Sequence, residues 1–107
     1  MKLTIVAEDR IISIDGVSFS DLDISALNPS IHAVQWYGEY GEIEYKSKVE
    51  NNQIVKPQNQ LTQDFSEFQW AVDAWNVAKQ EYDKMLVEQI PAVEAGGDAP
   101  TNDAEVV

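Results

Sequence analysis

Between Asp64 and Gln89 the chain repeats apolar residues at helical spacing and contains neither Gly nor Pro. Phe68, Val72, Trp75, Tyr82 and Leu86 recur at intervals of three, four or seven and define one helical face, with Ala71 and Ala78 flanking it. Asp64 with Glu67 three residues on reads as a capping box. Pro91 stops the helix, having no N–H and restricting Ile90. A helix this apolar on one side needs a surface to lie against, and residues 1–56 must supply it. Trp70, Ala74 and Val77 form a second stripe roughly opposite Phe68 and Trp75. If the first stripe is core, the second faces solvent or a partner.

The first fifty-six residues read as short strands. Lys2 to Ala7 alternates, with Leu3, Ile5 and Ala7 on one side. Glu8-Asp9-Arg10 is a polar turn, and Ile11 to Ile14 is a β-branched second strand. Asp15-Gly16 before Val17 is the strongest hairpin signal, because a type I′ turn needs positive φ at both central residues. Val17 to Phe19 is the return strand. Ser20 to Leu27 reads either as a short helical turn or as an irregular segment pinned by Leu22, Ile24 and Leu27. Asn28-Pro29-Ser30 ends it. Ile31 to Tyr37 is a fourth strand; Gly38 to Gly41 is a turn, and Glu42 to Lys46 returns as a fifth. Asn51-Asn52 is a further turn before a short strand from Gln53 to Lys56, and Pro57 to Gln60 is a linker. Residues 1–91 are thus one α+β domain: an antiparallel sheet of five or six short strands packed by one long helix. Residues 92–107, with Gly-Gly, Pro and acids and no aromatic, are expected to form a flexible acidic tail, since they cannot offset an ordering cost of ~1–2 kcal/mol per residue.

Charge and composition exclude several classes. With no cysteine there is no disulfide framework, thiolate metal site or thiol nucleophile. Nineteen acids against seven bases give a net charge of −12 and no basic cluster, so neither nucleic acid nor an anionic membrane is an expected partner. The acids serve solubility, or the surface docks on something basic. No apolar run is long enough to span a bilayer, and the N-terminus turns acidic too early for a signal peptide.

A search for catalytic chemistry leaves little. His32 is the only histidine, which argues against a zinc site and against a Ser-His-Asp set. Asp21 and Asp23 lack the glycine and closing Glu of a calcium loop, and read as turn or capping residues. Glu42 and Glu44 share a strand face and are available as a carboxylate pair, although the wet side of a sheet is the plainer reading. No catalytic residue, cofactor or metal ligand is assigned, and the expectation is a non-enzyme. The aromatics are more informative. Trp36, Tyr37, Tyr40 and Tyr45 surround one hairpin, and Trp36 and Tyr37 point to opposite faces of their strand. One face meets the helix; the other is open to a partner, for which aromatics are common anchors. The candidate partner-binding residues are therefore Trp36, Tyr37, Tyr40, Trp70, Ala74 and Val77. A sugar-stacking surface built on Trp36 and Tyr40 is the rival use.

The order Ile-Asp-Gly-Val from Ile14, His-Ala-Val-Gln-Trp from His32, Gly-Glu-Ile-Glu-Tyr from Gly41, and then a helix with Phe-x-x-Ala-x-x-Ala-Trp resembles small proteins of the tail-fibre modules of tailed bacteriophages. The resemblance covers about residues 1–80. The stretch from Ala74 to Tyr82 is also similar to the Trp-containing helical end of tail-fibre assembly proteins, without the Arg they usually carry near the Trp. It implies an interaction protein: a fibre accessory or assembly chaperone, or a permanent virion subunit, bound to a phage fibre or tail protein or to copies of itself. It places the chain in the virion tail or in the host cytoplasm during assembly, and implies no cofactor.

Overall fold

The computed structural model describes residues 1–89. Eight strands precede the helix: β1 (Leu3–Val6), β2 (Ile11–Ile14), β3 (Val17–Phe19), β4 (Ile31–Trp36), β5 (Gly41–Tyr45), β6 (Lys48–Glu50), β7 (Gln53–Val55) and β8 (Gln60–Thr62). A 3₁₀ turn, Phe65–Phe68, leads into α1, Gln69–Gln89. The α+β architecture is that read from the sequence. The expected stop at Pro91 and the expected tail lie outside the described residues.

Six strands form one antiparallel sheet in the order β3-β2-β1-β4-β5-β8. Its first three strands are the expected meander. Asp15 and Gly16 close the β2–β3 hairpin with φ of 49° and 88°, both positive as a type I′ turn requires. That turn is also tied to β1: the Lys2 amide donates to Asp15 Oδ1 at 2.8 Å, and the Asp15 amide donates to the Lys2 carbonyl at 2.9 Å. The chain then returns through residues 20–30 to lay β4 on the free side of β1.

Register decides which side chains become core. Leu3 lies opposite Ile14 and Trp36, Ile5 opposite Ile12 and Val34, and Val34 opposite Ile43. These seven residues therefore share one face, and all are buried. Trp36 also lies opposite Gly41, where a Cβ would come within 2.6 Å of the indole. Glycine at this strand position gives the ring its place over β5. β4 carries a bulge at His32, which lets Ile31 join the core although its parity along the strand is wrong for it.

The sequence reading missed two strands. β8 starts at Gln60, the last residue of the expected linker, and runs on to Thr62 before the helix; it pairs with β5, Gly41 opposite Thr62 and Ile43 opposite Gln60. Its polar Gln60 and Thr62 around an exposed Leu61 give no hydrophobic alternation to detect. β6 was passed over as well. Among the described residues it pairs only with β7, in a separate two-stranded hairpin closed by Asn51 and Asn52 at φ of 51° and 63°.

Candidate interaction surface

The helix is fixed at its start. Asp64 accepts from the Ser66 amide and hydroxyl, and so caps the 3₁₀ turn. The reciprocal Glu67 arm of a capping box is displaced: the Asp64 amide donates instead to Thr62 Oγ1 at 3.1 Å. Phe65 stacks edge-on against Trp36 with centroids 4.9 Å apart, and Phe68 is buried beneath the turn. α1 then crosses the sheet toward β2 and β3.

The axis of its contact face is Ala71, which is fully buried. At 100° per residue, Trp70 and Ala74 lie to one side of Ala71, Trp75 and Val72 to the other. All four are half-buried against the core. The two stripes read from the sequence are thus the two flanks of one broad face. A small residue at the centre brings the helix backbone close to the sheet and splays the two tryptophans outward.

This overturns part of the predicted site. Trp70 and Ala74 are not on a free surface. Trp70 borders a shallow recess with Ala26, Leu27, Ile31 and Phe68, because the segment 20–30 runs beside the helix start. Trp36 belongs to the core. Tyr37, Tyr40 and Val77 are exposed as expected.

A second correction concerns the far half of the helix. Trp75 donates from Nε1 to the Val17 carbonyl at 2.8 Å, and Phe19 meets Trp75 and Tyr82 edge-on at 5.7 and 5.9 Å. Val17 and Phe19 belong to β3, the edge strand. Beyond this point the helix has run off the sheet. Tyr82, Met85, Leu86 and Val87 are all exposed, although Tyr82 and Leu86 continue the predicted core stripe. The reason is length: 21 residues rise about 31 Å, more than the strands on the β3 side of the sheet present to it. A Lys79–Asp83 ion pair at 2.7 Å supports the helix on its polar side.

The outer face of the sheet is polar along Thr4, Gln35, Glu42 and Glu44. Thr4 donates to Gln35 Oε1 at 3.0 Å, Lys56 pairs with Glu44 at 3.2 Å, and Asn59 donates to Glu42 Oε2 at 2.9 Å. Glu42 and Glu44 thus each have their own partner and do not form a carboxylate dyad. At the β4–β5 turn, Tyr37 and Tyr40 lie with ring centroids 5.2 Å apart, and the Tyr37 hydroxyl faces Glu42. Partial desolvation, and then the Glu42 charge, hold the Tyr37 phenol above its ordinary range.

Asp21 and Asp23 both have protein partners. Asp21 pairs with Arg10 at 3.1 Å. Asp23 accepts from the Ser25 amide, and this bond and that of the Ser25 hydroxyl hold its carboxyl below the usual aspartate range. His32 sits at the bulge, its carbonyl accepting from the Ala7 amide at 3.0 Å. Among the described residues no three His, Cys, Asp or Glu side chains converge as a metal site, and no helix is long and apolar enough to cross a membrane.

The exposed apolar residues that sequence reasoning missed are Met85, Val87, Leu61, Val49 and Ile54. For the last two a signal was present: they flank the Asn51-Asn52 turn symmetrically. In comparisons with known proteins, no family model, no curated protein and no solved structure matches the chain.

Proposed function

We propose that the protein acts by binding another protein, as an accessory or assembly factor of a phage tail fibre, and that the free half of α1 is the surface it uses. The observation that carries this reading is the uncovered continuation of the core stripe. Tyr82 and Leu86 extend the face that buries Ala71, and Met85 widens it, yet all three are exposed, Tyr82 meeting only Phe19 of the edge strand among the described aromatic rings. Burying a large apolar side chain is worth roughly 1.5–3 kcal/mol. An amphipathic helix laid into a partner's groove uses anchors at this spacing. The partner class comes from the resemblance to tail-fibre-module proteins, and a permanent place in the particle is the neighbouring form of the same reading. The sugar-stacking alternative is not carried forward, because Trp36, one of its two rings, is in the core.

Co-expression with the products of the neighbouring genes and with phage fibre and tail proteins, followed by capture of the tagged chain, tests the proposal. Wild type retains one of them. Leu86→Glu with Met85→Glu releases it while leaving the melting temperature near that of the parent. Retention of the partner by the double variant overturns this use of the helix. Assay of purified particles separates an assembly factor from a resident subunit.

A further inference from the structure

We infer that the β6–β7 hairpin is an arm that docks on the Tyr40–Leu61 end of a second copy of this chain, joining copies through unlike surfaces.

The arm stands apart from the six-stranded sheet, tied to the rest of the described residues through the Lys56–Glu44 ion pair and the Lys46 amide on the Ser30 carbonyl. Among the described residues β6 and β7 pair only with each other. A two-stranded hairpin alone is marginally stable in water. Val49 and Ile54 lie directly opposite one another in the ladder, so they share a face, and they are 72% and 80% exposed. Paired across strands, they present one apolar knob to solvent. The arm as a whole, residues 46–56, holds Lys46, Lys48 and Lys56 against a single acid, Glu50, in a chain of net charge −12; Lys48 and Glu50 lie on the hairpin face opposite Val49 and Ile54. Lys48 pairs with Glu50 and Lys56 with Glu44, while Lys46 makes no ion pair among the described residues.

A surface of the opposite character lies at the other end of the same strand. The turn before β5 carries Tyr37 and Tyr40; the arm follows β5. Five residues at about 3.3 Å each separate the two ends by about 17 Å. Tyr40, Leu61 and Glu39 border an open recess of about 580 Å³, with Leu61 at 68% exposure. Glu39 and Glu42 pair with no cation among the described residues. An apolar knob on an arm of net positive charge thus has its counterpart in a recess of Tyr40 and Leu61 bordered by Glu39. The two surfaces stand at opposite ends of the sheet and cannot meet within one chain. Two copies of so acidic a protein otherwise repel, and this pairing sets the basic arm of one, with Lys46 free of an ion pair among the described residues, against Glu39 of the next. Because the surfaces differ, the contact closes as a reciprocal pair or ring, or runs on as a strand of copies.

Analytical ultracentrifugation of the full chain from 10 µM to 1 mM tests this. Wild type self-associates, less at high salt. Val49→Ser with Ile54→Ser weakens association at least about tenfold, and so does Tyr40→Ala with Leu61→Ser, each with the far-UV spectrum and melting temperature of the parent. Mixed together, the two variants form a dimer and nothing larger, since only one competent arm and one competent recess remain. Should Leu61→Ser disturb β8, Glu39→Lys serves as the recess variant, its loss restored on mixing with Lys46→Glu. A wild type monomeric at 1 mM, or a variant mixture that stays monomeric, overturns the inference. So does loss of association in Leu86→Glu but not in the arm variant, which would place self-contact on the helix.

Discussion

The two halves of α1 carry the same apolar stripe in different surroundings. In the first half Ala71 is fully buried and Trp70, Val72, Ala74 and Trp75 pack around it. In the second half Tyr82 and Leu86 hold equivalent angular positions and face solvent. A helical period reports which side of a helix is apolar; it does not report where the surface beneath it ends. That limit is set by the neighbours, here the three-residue edge strand β3. What distinguishes the halves is the size of the central residue. Alanine at the axis marks close backbone approach, and aromatics at the axis mark a face with room above it.

The largest expected effects fall on the anchored half. Phe68→Ala should cost ~3–5 kcal/mol, as truncations of buried aromatics do. Asp73→Pro should be as severe, because proline removes a helix hydrogen bond at a position where unwinding also strips Ala74 and Trp75 from the core. Denaturant melts of both proteins check this, and near-parental midpoints would mean that the helix is not seated on the sheet. Trp70→Ala should cost less, ~1–3 kcal/mol, since the ring is half-buried beside Leu27 and Ile31. Full stability in that variant, with lost binding to a partner, would return Trp70 to the free surface assigned to it from the sequence.

How far the fold can be read from the residues follows the same contrast. Strong local rules carried over. Asp15-Gly16 demanded a type I′ hairpin and forms one, and the alternation of Leu3 and Ile5 put them on the core face. Where a strand is defined by its neighbour and not by its own pattern, it was invisible, as with β8, whose Gln60 and Thr62 carry no apolar rhythm. The site suffered from the same limit. Tyr37, Tyr40 and Val77 are exposed as expected, because a turn and a helix flank are local properties. Trp70 and Leu86 differ from their expected exposure, because what lies over them is far away in sequence: the segment 20–30 in one case and the end of the sheet in the other.

A smaller effect is expected at the hinge between sheet and helix. Asp64→Ala should cost ~0.5–2 kcal/mol, the usual range for loss of an N-cap acceptor. Asp64→Asn should recover most of it at neutral pH, since the amide oxygen also accepts from Ser66. A thermal melt of the three proteins at one pH separates capping from charge. If Asn is as poor as Ala, the role of Asp64 is electrostatic.

The smallest effect sharpens the comparison most. Lys84→Pro removes an amide hydrogen bond to Gln80 and restricts Asp83, so the helix must unwind from about Gln80 onward. In a buried helix interior that costs ~3 kcal/mol or more. Here the unwound residues hold no packing to lose beyond the edge of Tyr82 against Phe19 and the exposed Lys79–Asp83 pair, and such surface pairs are worth ~0–1 kcal/mol. The helix end can therefore unwind locally without the sheet unfolding. The expected change in global stability is below ~1 kcal/mol, a shift of a few degrees in melting temperature. Amide exchange supplies the companion measurement: in the parent, Ala71 to Ala78 should exchange near the global unfolding limit and Lys84 to Glu88 much faster. Capture of a partner should fail in Lys84→Pro, because anchors spaced for a helix face lose their alignment when the helix is gone. If Lys84→Pro instead unfolds the protein as Asp73→Pro does, the far half of α1 is covered within the monomer, and no free helix face remains to bind anything.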